Sequence, residues 1–506
     1  MRNYLRKKGN YKIGAILSYL TLAANCISGI FFTPFIIRTI GESEYGLYQL
    51  IGAYVGYLSI LDMGMSSSVT KYIARYYRAH DKLRENGFLS LSLLIYSFLS
   101  TVAIVGGIIL YLKISVIFSQ SLSADEIKKA KIMFLLLLAS IVITMIGGIF
   151  RGTMNAYECF INTKGAELAR VVVRVILIWA LITSGGGAVG IVVVDVVVNA
   201  IFTLYRMLFC FIVIKIRFRL FSFNSYEIKD FAFFALFVFL DMLFDQLNWK
   251  VDNTIIGIKM STVAVTVYSI GANFSNYFMN FSIAIKSLFL PKVMHMESEN
   301  ATEDDYTSFL VHTGRLQGYL LFYLYIAFLL MGRQFIEIIM RKNYPDAWLS
   351  AVLVMSGLIV PLLQNGGHPI LQAKNKHHIY VSVCLAVAIM NVIGTWMVID
   401  RYGIVGAALM TMLSFIFGQA LFLSWYYHKA LGIDMRRFYS EIIKGNLLPA
   451  VVSLFFGALL VYIYPIKGWI SFIVDALIYS LFYFACVFFM GMNDEEKMVF
   501  KRKGTM

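Results

Sequence analysis

Apolar stretches long enough to cross a lipid bilayer follow one another along almost the whole of this 506-residue chain. A helix needs about 20 mainly apolar residues to span the hydrocarbon layer, where every backbone polar group must be paired within the protein. The sequence predicts about fourteen such spans, joined by connections too short for a soluble domain. The predicted spans are Tyr11–Ile37, Tyr45–Ser68, Asn86–Leu112, Ile132–Met154, Ala166–Thr183, Gly187–Ile214, Phe231–Ile256, Val263–Leu290, Leu316–Met340, Ala347–Leu371, Ile379–Ile399, Gly403–Tyr427, Asn446–Tyr464 and Trp469–Met490.

Composition and the placement of basic residues agree with an all-α, multi-pass membrane protein. Apolar residues make up 59% of the chain and charged residues 14%, which is more apolar than a soluble core requires. With both termini in the cytoplasm, 29 of the 44 Lys and Arg fall in inside segments, 11 in outside segments and 4 within spans. Cytoplasmic segments carry this excess in membrane proteins. The net charge of +15 therefore predicts membrane orientation and lipid contact rather than nucleic-acid binding.

A weak internal repeat divides the predicted spans into two halves. Gly187–Gly190 opens span six as Gly403–Gly406 opens span twelve, 216 residues later, and Ile40–Gly41 precedes Ile256–Gly257 by the same offset. The simplest interpretation is two six-span halves in parallel orientation, residues 1–214 and 215–427, followed by a terminal pair in residues 428–506. Such repeats commonly place a binding site between the halves, near the bilayer midplane.

Span seven carries an acidic stripe formed by Asp241, Asp245, Asn248 and Asp252. Spacings of four, three and four residues put all of these side chains on one helical face. Each carboxylate costs roughly 2.5 to 3.5 kcal/mol at the bilayer centre, so this face must meet a water-filled cavity or basic partners. A purely structural alternative remains open, in which Asp252 lies near the outer end and Asp241 or Asp245 pairs with Arg174.

Three further spans carry polar side chains within the membrane. Span one has Ser18, Thr21, Asn25 and Ser28 at helical spacing, and span two has Asp62. Span eight repeats the pattern with three Asn residues on one face, close to Lys286. Such residues also join helices inside bilayers, but amides arrayed along a cavity could hydrogen-bond the hydroxyls of a sugar. These three are Asn273, Asn276 and Asn280.

No constellation typical of an enzyme or a metal site occurs in the sequence. There is no GxxxxGK[ST], HExxH or GxSxG, patterns that mark phosphate-binding loops, zinc peptidases and serine hydrolases. The five cysteines are scattered, without a CxxC pair, so disulfides and zinc are not expected. Asp195 and Asp475 are isolated and are predicted to be structural. The chain is therefore predicted not to be an enzyme and to need no resident cofactor or metal.

Several segments resemble the Wzx-type lipid-linked oligosaccharide flippases and polysaccharide exporters of the multidrug/oligosaccharidyl-lipid/polysaccharide (MOP) superfamily. The residues that carry the resemblance are Pro34–Tyr48 after span one, Leu61–Gly64, Asp252–Gly257, and Tyr402–Ala408 with Thr411 after it. These segments occur in the family's order along nearly the whole chain. The resemblance rests on this ordered set of segments on fourteen predicted spans.

The resemblance implies a MATE-like fold of two six-helix lobes around a cavity lined by spans one, two, seven and eight. It implies alternating access, in which an undecaprenyl-pyrophosphate-linked oligosaccharide passes from the inner to the outer leaflet while its lipid tail stays in the bilayer. The setting would be a bacterial cytoplasmic membrane. Membrane lipids, the linked glycan, a glycan polymerase and other polysaccharide-assembly proteins would be the partners, and H⁺ or Na⁺ could drive the cycle.

One feature departs from the family pattern, because an acidic stripe accompanies the few basic residues expected to meet a pyrophosphate. Either the bases reach the anion while the carboxylates couple an ion, or the substrate is less anionic. The resulting site hypothesis assigns three roles. Phosphate attraction falls to Arg38, Arg174 and Lys286, sugar contact to Asn25, Asn273, Asn276 and Asn280, and coupling or gating to Asp62, Asp241, Asp245 and Asp252.

Other functions remain open at this point. A MATE-like multidrug or cation antiporter would use the same fold, with the acidic stripe as its cation site. A polysaccharide polymerase or O-antigen ligase also has many spans, but such enzymes need a long outside loop, and the longest one here is Lys113–Lys131. A scaffolding role is disfavoured, because carboxylates within the membrane are costly to keep without a use.

Overall fold

The computed structural model describes residues 9–62, 64–219, 239, 242–243, 246, 249–286, 289–299, 301–374, 376–494 and 496–498. These residues are mostly helical and include no strand. The first nine helices are α1 (Gly9–Ile27), α2 (Thr33–Ile40), α3 (Glu42–Ser59), α4 (Met65–Arg78), α5 (Lys82–Ile117), α6 (Ala124–Ala156), α7 (Phe160–Thr183), α8 (Ala188–Phe209) and α9 (Val251–Lys259). The remaining helices are α10 (Thr262–Lys286), α11 (Phe289–Ser298), α12 (Glu303–Met340), α13 (Pro345–Leu363), α14 (Gly367–Ala373), α15 (His377–Ser414), α16 (Leu423–Leu431), α17 (Met435–Ile463) and α18 (Trp469–Cys486). A kink at Gly403, where the backbone is not helical and φ is 56°, divides α15 into two helical pieces. Five short π-helical or 3-10 turns adjoin these helices, at Ser28–Phe32, Ile60–Asp62, Cys210–Ile214, Phe415–Phe422 and Val487–Gly491.

Within the described residues, nine helical segments are long and apolar enough to cross a membrane. They are Ile13–Ile40, Lys82–Ile117, Ala124–Ala156, Ala188–Ile214, Glu303–Met340, Pro345–Leu363, Ile379–Leu431, Met435–Ile463 and Trp469–Gly491. The expectation of an all-helical, multi-pass membrane protein is thereby confirmed. The total of fourteen spans stays a prediction, as does their arrangement in two lobes and a terminal pair.

The chain divides into two compact units, Met1–Thr266 and Val267–Met506. In the first unit α6 is central, since α3, α4, α5 and α8 all pack against it. Glycines on α6 allow this close approach. A Cβ atom at Gly152 would lie 2.6 Å from the carbonyl oxygen of Ser66 on α4, and one at Gly147 would lie 2.8 Å from the Thr203 side chain on α8.

The segment after α2 that resembles the flippase family forms a packed junction in the first unit. Gly41 adopts a φ of 92°, in a region that favours glycine, and separates α2 from α3. One turn later, a Cβ on Gly46 would overlap the Thr262 carbonyl oxygen, so glycine is required for contact with α10. The Glu44 carboxylate accepts a hydrogen bond from the Ala188 N–H at 3.0 Å, at the start of α8. A carboxylate is favourable there because helix N-termini carry partial positive charge.

Two predicted spans are interrupted, and both expectations are corrected here. Span two, predicted as Tyr45–Ser68, breaks after α3, where the 3-10 turn Ile60–Asp62 leads to Gly64 at a φ of 63°. Span ten, predicted as Ala347–Leu371, stops at Leu363 and resumes as α14. Hydropathy measures affinity for lipid and is insensitive to the direction of the backbone, so it merged these pieces.

In the second unit α12 packs against α13, α17 and α18. The core between α12, α17 and α18 contains the buried side chains of Tyr319, Ile326, Leu460, Tyr479 and Tyr483. Aromatic side chains contribute large apolar area, and their hydroxyls need partners when buried. Tyr483 meets this need, since its hydroxyl donates to the Tyr319 carbonyl oxygen at 2.9 Å.

Candidate functional site

A cavity of about 430 Å³ lies inside the first unit. It is lined by residues of α1, the end of α3 and its 3-10 turn, α6, α7 and α8, and by Met242. Its polar lining consists of Thr21, Asn25, Ser59, Asp62, Thr144, Arg151, Glu167, Arg170, Asn199, Thr203 and Arg206. A volume of this size lies within the range of small-molecule binding sites.

Three arginines, one from each of three neighbouring helices, converge on the cavity: Arg151 on α6, Arg170 on α7 and Arg206 on α8. Helical spacing brings each one to the same face as other lining residues. Thr144 lies seven residues before Arg151, and Asn199 lies seven before Arg206. Two turns of a helix restore the same face, so the local sequence of each helix directs its arginine inward.

These arginines have few bonds to the protein. Arg151 donates from Nε to Ser66 Oγ at 3.2 Å, and Arg170 donates from Nη1 to Asn199 Oδ1 at 3.0 Å. The Nε of Arg206 is buried and has no hydrogen-bond partner within the part of the chain that the structure describes. Among the described residues, none of these three arginines forms an ion pair. Their guanidinium groups therefore keep most of their donors available.

Two carboxylates share the cavity with the arginines. Asp62 lies beside Arg151 and the hydroxyl of Tyr96. Glu167 forms an ion pair with Lys164, with 2.9 Å between Nζ and Oε2. Three guanidinium groups against two carboxylates, one of them already paired with a lysine, leave the cavity with excess positive charge. The planar fork of a guanidinium suits oxyanions such as phosphate, so this arrangement can hold a small, highly charged anion.

Of the residues proposed from sequence, Asp62 and Asn25 line this cavity. Asn25 donates from Nδ2 to the Thr21 carbonyl oxygen on its own helix, at 2.9 Å. Asp252 is buried on α9, with 1% of its surface exposed. The three Asn of predicted span eight lie half-buried on α10, in the second unit, and are Asn273, Asn276 and Asn280.

Two of the three predicted phosphate-binding residues, Arg38 and Arg174, do not line this cavity. Arg174 is held by Asp195, with Nε to Oδ1 at 2.6 Å and Nη2 to Oδ2 at 3.2 Å, and also donates to the Tyr48 hydroxyl at 3.1 Å. Arg38 is exposed and donates from Nε to the Pro34 carbonyl oxygen at 3.2 Å. The Lys286 side chain lies outside the described residues. To bind phosphate, the Arg174 guanidinium would have to give up its bonds to Asp195 and Tyr48.

Asp241 and Asp245 also lie outside the described residues, so the acidic stripe stays a prediction. The structural alternative, in which one of them pairs with Arg174, is weakened because Asp195 already occupies that guanidinium.

Sequence reasoning missed the group of cavity arginines. The count of basic residues assigned Arg151 and Arg170 to an inside segment. Both lie on helices and line the cavity, and their position relative to a membrane stays a prediction. The charges of predicted span five and the seven-residue spacing of Asn199 and Arg206 were available signals. No sequence signal brings α6, α7 and α8 together at this point.

Comparison with known proteins gives one family match by sequence and several matches by fold. Residues 12–297, more than half of the chain, match the family described as "Polysaccharide biosynthesis protein". No curated protein sequence matches the chain.

The fold is similar to those of several solved structures. Lipid II flippase MurJ, in its inward closed conformation, aligns with a TM-score of 0.70 at 15% identity, covering 99% of this chain and 100% of MurJ. An inward-facing multidrug resistance MATE family transporter of the MOP superfamily aligns with a TM-score of 0.67 at 14% identity, covering 83% and 95%. A MOP superfamily transporter from Pyrococcus furiosus, reported with a binding pocket of reverse polarity that suggests a different function, aligns with a TM-score of 0.58 at 15% identity, covering 86% and 99%.

These structures are of a flippase and of transporters, in agreement with the prediction that the chain is not an enzyme. At such low identity they establish the fold, while the sequence match establishes the family. The resemblance noted in the motifs is confirmed. The chain belongs to the polysaccharide biosynthesis protein family, and its fold is similar to those of MOP superfamily transporters.

Proposed function

We propose that this protein is a flippase that moves an undecaprenyl-pyrophosphate-linked oligosaccharide from the inner to the outer leaflet by alternating access. Family membership and the MurJ-like fold support a transport role. The observation that carries the proposal is the cavity lined by Arg151, Arg170 and Arg206, none of which has an ion-pair partner among the described residues.

The physical need for such a cavity follows from the cargo. A pyrophosphate and several sugars moving through hydrocarbon would lose their hydrogen bonds to water, at several kcal/mol for each unsatisfied polar group. Guanidinium groups replace water around the phosphate oxygens with charge-assisted bonds. In this proposal the phosphate role moves from Arg174, which Asp195 holds, to the three cavity arginines.

Neutral polar side chains would meet the glycan, and carboxylates would couple the cycle to an ion. Asn25, in the cavity wall, is assigned to sugar contact together with Asn273, Asn276 and Asn280. Asp62 lies beside Arg151, where a change in its protonation would alter the charge that the phosphate meets. Coupling by H⁺ or Na⁺ is assigned to Asp62, Asp241, Asp245 and Asp252.

The proposal keeps the architecture expected from sequence. Fourteen spans would form two six-helix lobes and a terminal pair, with both termini on the cytoplasmic side of a bacterial plasma membrane. A glycan polymerase and other polysaccharide-assembly proteins would take over the flipped substrate.

A MATE-like multidrug or cation antiporter is the second candidate, and the likeness to a MATE family transporter favours it. The cavity argues against it, because the three guanidinium groups in its lining would repel a cationic drug. Pocket polarity is therefore the property that separates these two functions on one fold.

The test uses cells that make the linked glycan but lack this gene. The measurement is the accessibility of lipid-linked oligosaccharide to a glycan-cleaving enzyme added outside. We expect the glycan to accumulate inside, and outside access to return with the wild-type chain but not with Arg170→Gln combined with Arg206→Gln.

Arg436→Gln is the matched control, because Arg436 is an exposed arginine at the start of α17. It should restore outside access fully. Unchanged sidedness in the deletion strain would contradict the flippase assignment, and sensitivity of that strain to cationic drugs would favour the antiporter.

A further inference from the structure

Glu167 is a carboxylate in the cavity lining, yet the ion pair that it forms is with Lys164 rather than with an arginine. It lines the cavity and precedes Arg170 by three positions on α7. Acidic and basic residues at this spacing lie side by side and readily pair. Glu167 pairs instead with Lys164 at 2.9 Å, and Arg170 donates to Asn199 at 3.0 Å.

Other contacts support both of these pairings, the one between Glu167 and Lys164 and the one between Arg170 and Asn199. Lys164 lies one turn before Glu167, outside the cavity lining, and the two side chains are 33% and 26% exposed. Asn199 is oriented by Ser140, since its Nδ2 donates to Ser140 Oγ at 3.0 Å and leaves its carbonyl oxygen to accept from Arg170. Because Asn199 is neutral, it orients the Arg170 guanidinium without cancelling its charge.

We propose that Lys164 is a positioning residue that keeps the anion site cationic by holding Glu167 away from Arg170. The inference rests on the proposed function, since it concerns the affinity of the same cavity for phosphate oxygens. Without Lys164, the Glu167 carboxylate rotates toward Arg170 and competes with the phosphate for its donors. Lys164 thus sets the affinity of the cavity without touching the ligand.

The test is a double-mutant cycle on the purified full-length protein, with inorganic pyrophosphate as the probe. The measurement is the pyrophosphate concentration that half-protects Arg151, Arg170 and Arg206 from phenylglyoxal, read by mass spectrometry. Lys164→Met should raise this concentration about fivefold, the size expected for a partly exposed ion pair of ~1 kcal/mol. Glu167→Gln alone should change it less than twofold, because Lys164 already engages that carboxylate.

The double variant, Lys164→Met with Glu167→Gln, should return to the wild-type value. A simple effect of net charge would make the two changes multiply independently, whereas the proposal requires them to be non-additive. Lys164→Arg should behave as wild type, because arginine can keep the pair. Lys128→Met is the matched control, since Lys128 pairs with Asp125 at the same i,i+3 spacing on an exposed face of α6.

Each outcome decides between the two proposals. Absence of protection in the wild type would overturn the phosphate site and this inference together. Protection in the wild type with no effect of Lys164→Met, or with independent effects, would overturn only the role of Lys164. If Lys164→Met does not fold, Glu167→Gln still decides, because a fivefold gain from that change alone would show that Glu167 already opposes the anion.

Discussion

Arginines occur within long apolar helices in both units, but in opposite environments. In the second unit Arg315 is 6% exposed. It donates to both carboxylate oxygens of Glu496, at 3.0 and 3.1 Å, to the Tyr319 hydroxyl at 3.0 Å and to the Gly491 carbonyl oxygen at 2.8 Å. In the first unit the cavity arginines each have one such bond or, among the described residues, none.

The difference teaches how to interpret a charge inside a membrane protein. A buried guanidinium whose donors are all used stabilises the fold, because removing it leaves a buried carboxylate without a partner. A guanidinium with free donors facing a cavity contributes little to folding and remains available to a ligand. The bonding partners, rather than the residue type or its depth in the helix, distinguish these cases.

The largest expected effect comes from breaking the buried ion pair between Arg315 and Glu496. Arg315→Ala should lower the free energy of unfolding by about 3–5 kcal/mol, because Glu496 would stay buried and unpaired. Thermal unfolding of the purified protein in detergent measures this, and Arg437→Ala, at an exposed ion pair with Asp304, is the control. If the Arg315 variant unfolded with the same free energy as the wild type, the contrast between the arginines of the two units would be lost.

The cavity arginines should show the reverse behaviour. Arg170→Gln or Arg206→Gln should weaken pyrophosphate binding about 10- to 100-fold, as expected for a lost charge-assisted hydrogen bond, and change stability by less than ~0.5 kcal/mol. Phenylglyoxal protection and thermal unfolding of the same samples measure the two quantities. Severe destabilisation with unchanged binding would mean that these arginines are structural.

Arg174 tests the boundary between these two classes. Its pair with Asp195 is partly exposed, at 33% and 14% for the two side chains, so Asp195→Asn should lower the free energy of unfolding by only ~1–2 kcal/mol. Pyrophosphate binding should not change, because Arg174 does not line the cavity. Tighter binding in this variant would restore Arg174 to the phosphate role predicted from sequence.

The smallest effect is a dependence of stability on pH that arises from Glu496, which follows the last membrane-spanning segment. Burial acts to raise the pKa of this carboxyl, but hydrogen bonds from Arg315 and Asn493 outweigh it and hold the pKa below its usual value of 4.5. A carboxyl whose pKa is lowered in the folded state stabilises the fold at pH values above its unfolded-state pKa. This stabilisation is lost as the pH falls through the folded-state pKa. Unfolding between pH 6 and pH 3 should therefore show a loss of stability below about pH 4.5 that is absent in Glu496→Gln.

Local patterns along the chain predicted much of the fold and part of the site. Helical membrane segments follow from apolar length, and the motif at Pro34–Tyr48 indicated the family. In the structure, Gly46 and Glu44 of this motif make close contacts with Thr262 and Ala188. Asp62 and Asn25 were found because an isolated polar residue in an apolar span is costly. The breaks after Ser59 and Leu363 were missed because hydropathy does not record backbone direction.

The sequence by itself determined that this is a multi-pass helical membrane protein of the polysaccharide biosynthesis family, since hydropathy and motifs are properties of neighbouring residues. The tertiary structure alone decided which charges are neutralised. Arg174 meets Asp195 across 21 positions of sequence, and Arg315 meets Glu496 across 181. Arg151, Arg170 and Arg206 come together only when α6, α7 and α8 pack. An ion pair depends on distance in space, and helices bring distant residues together in ways that no local pattern encodes.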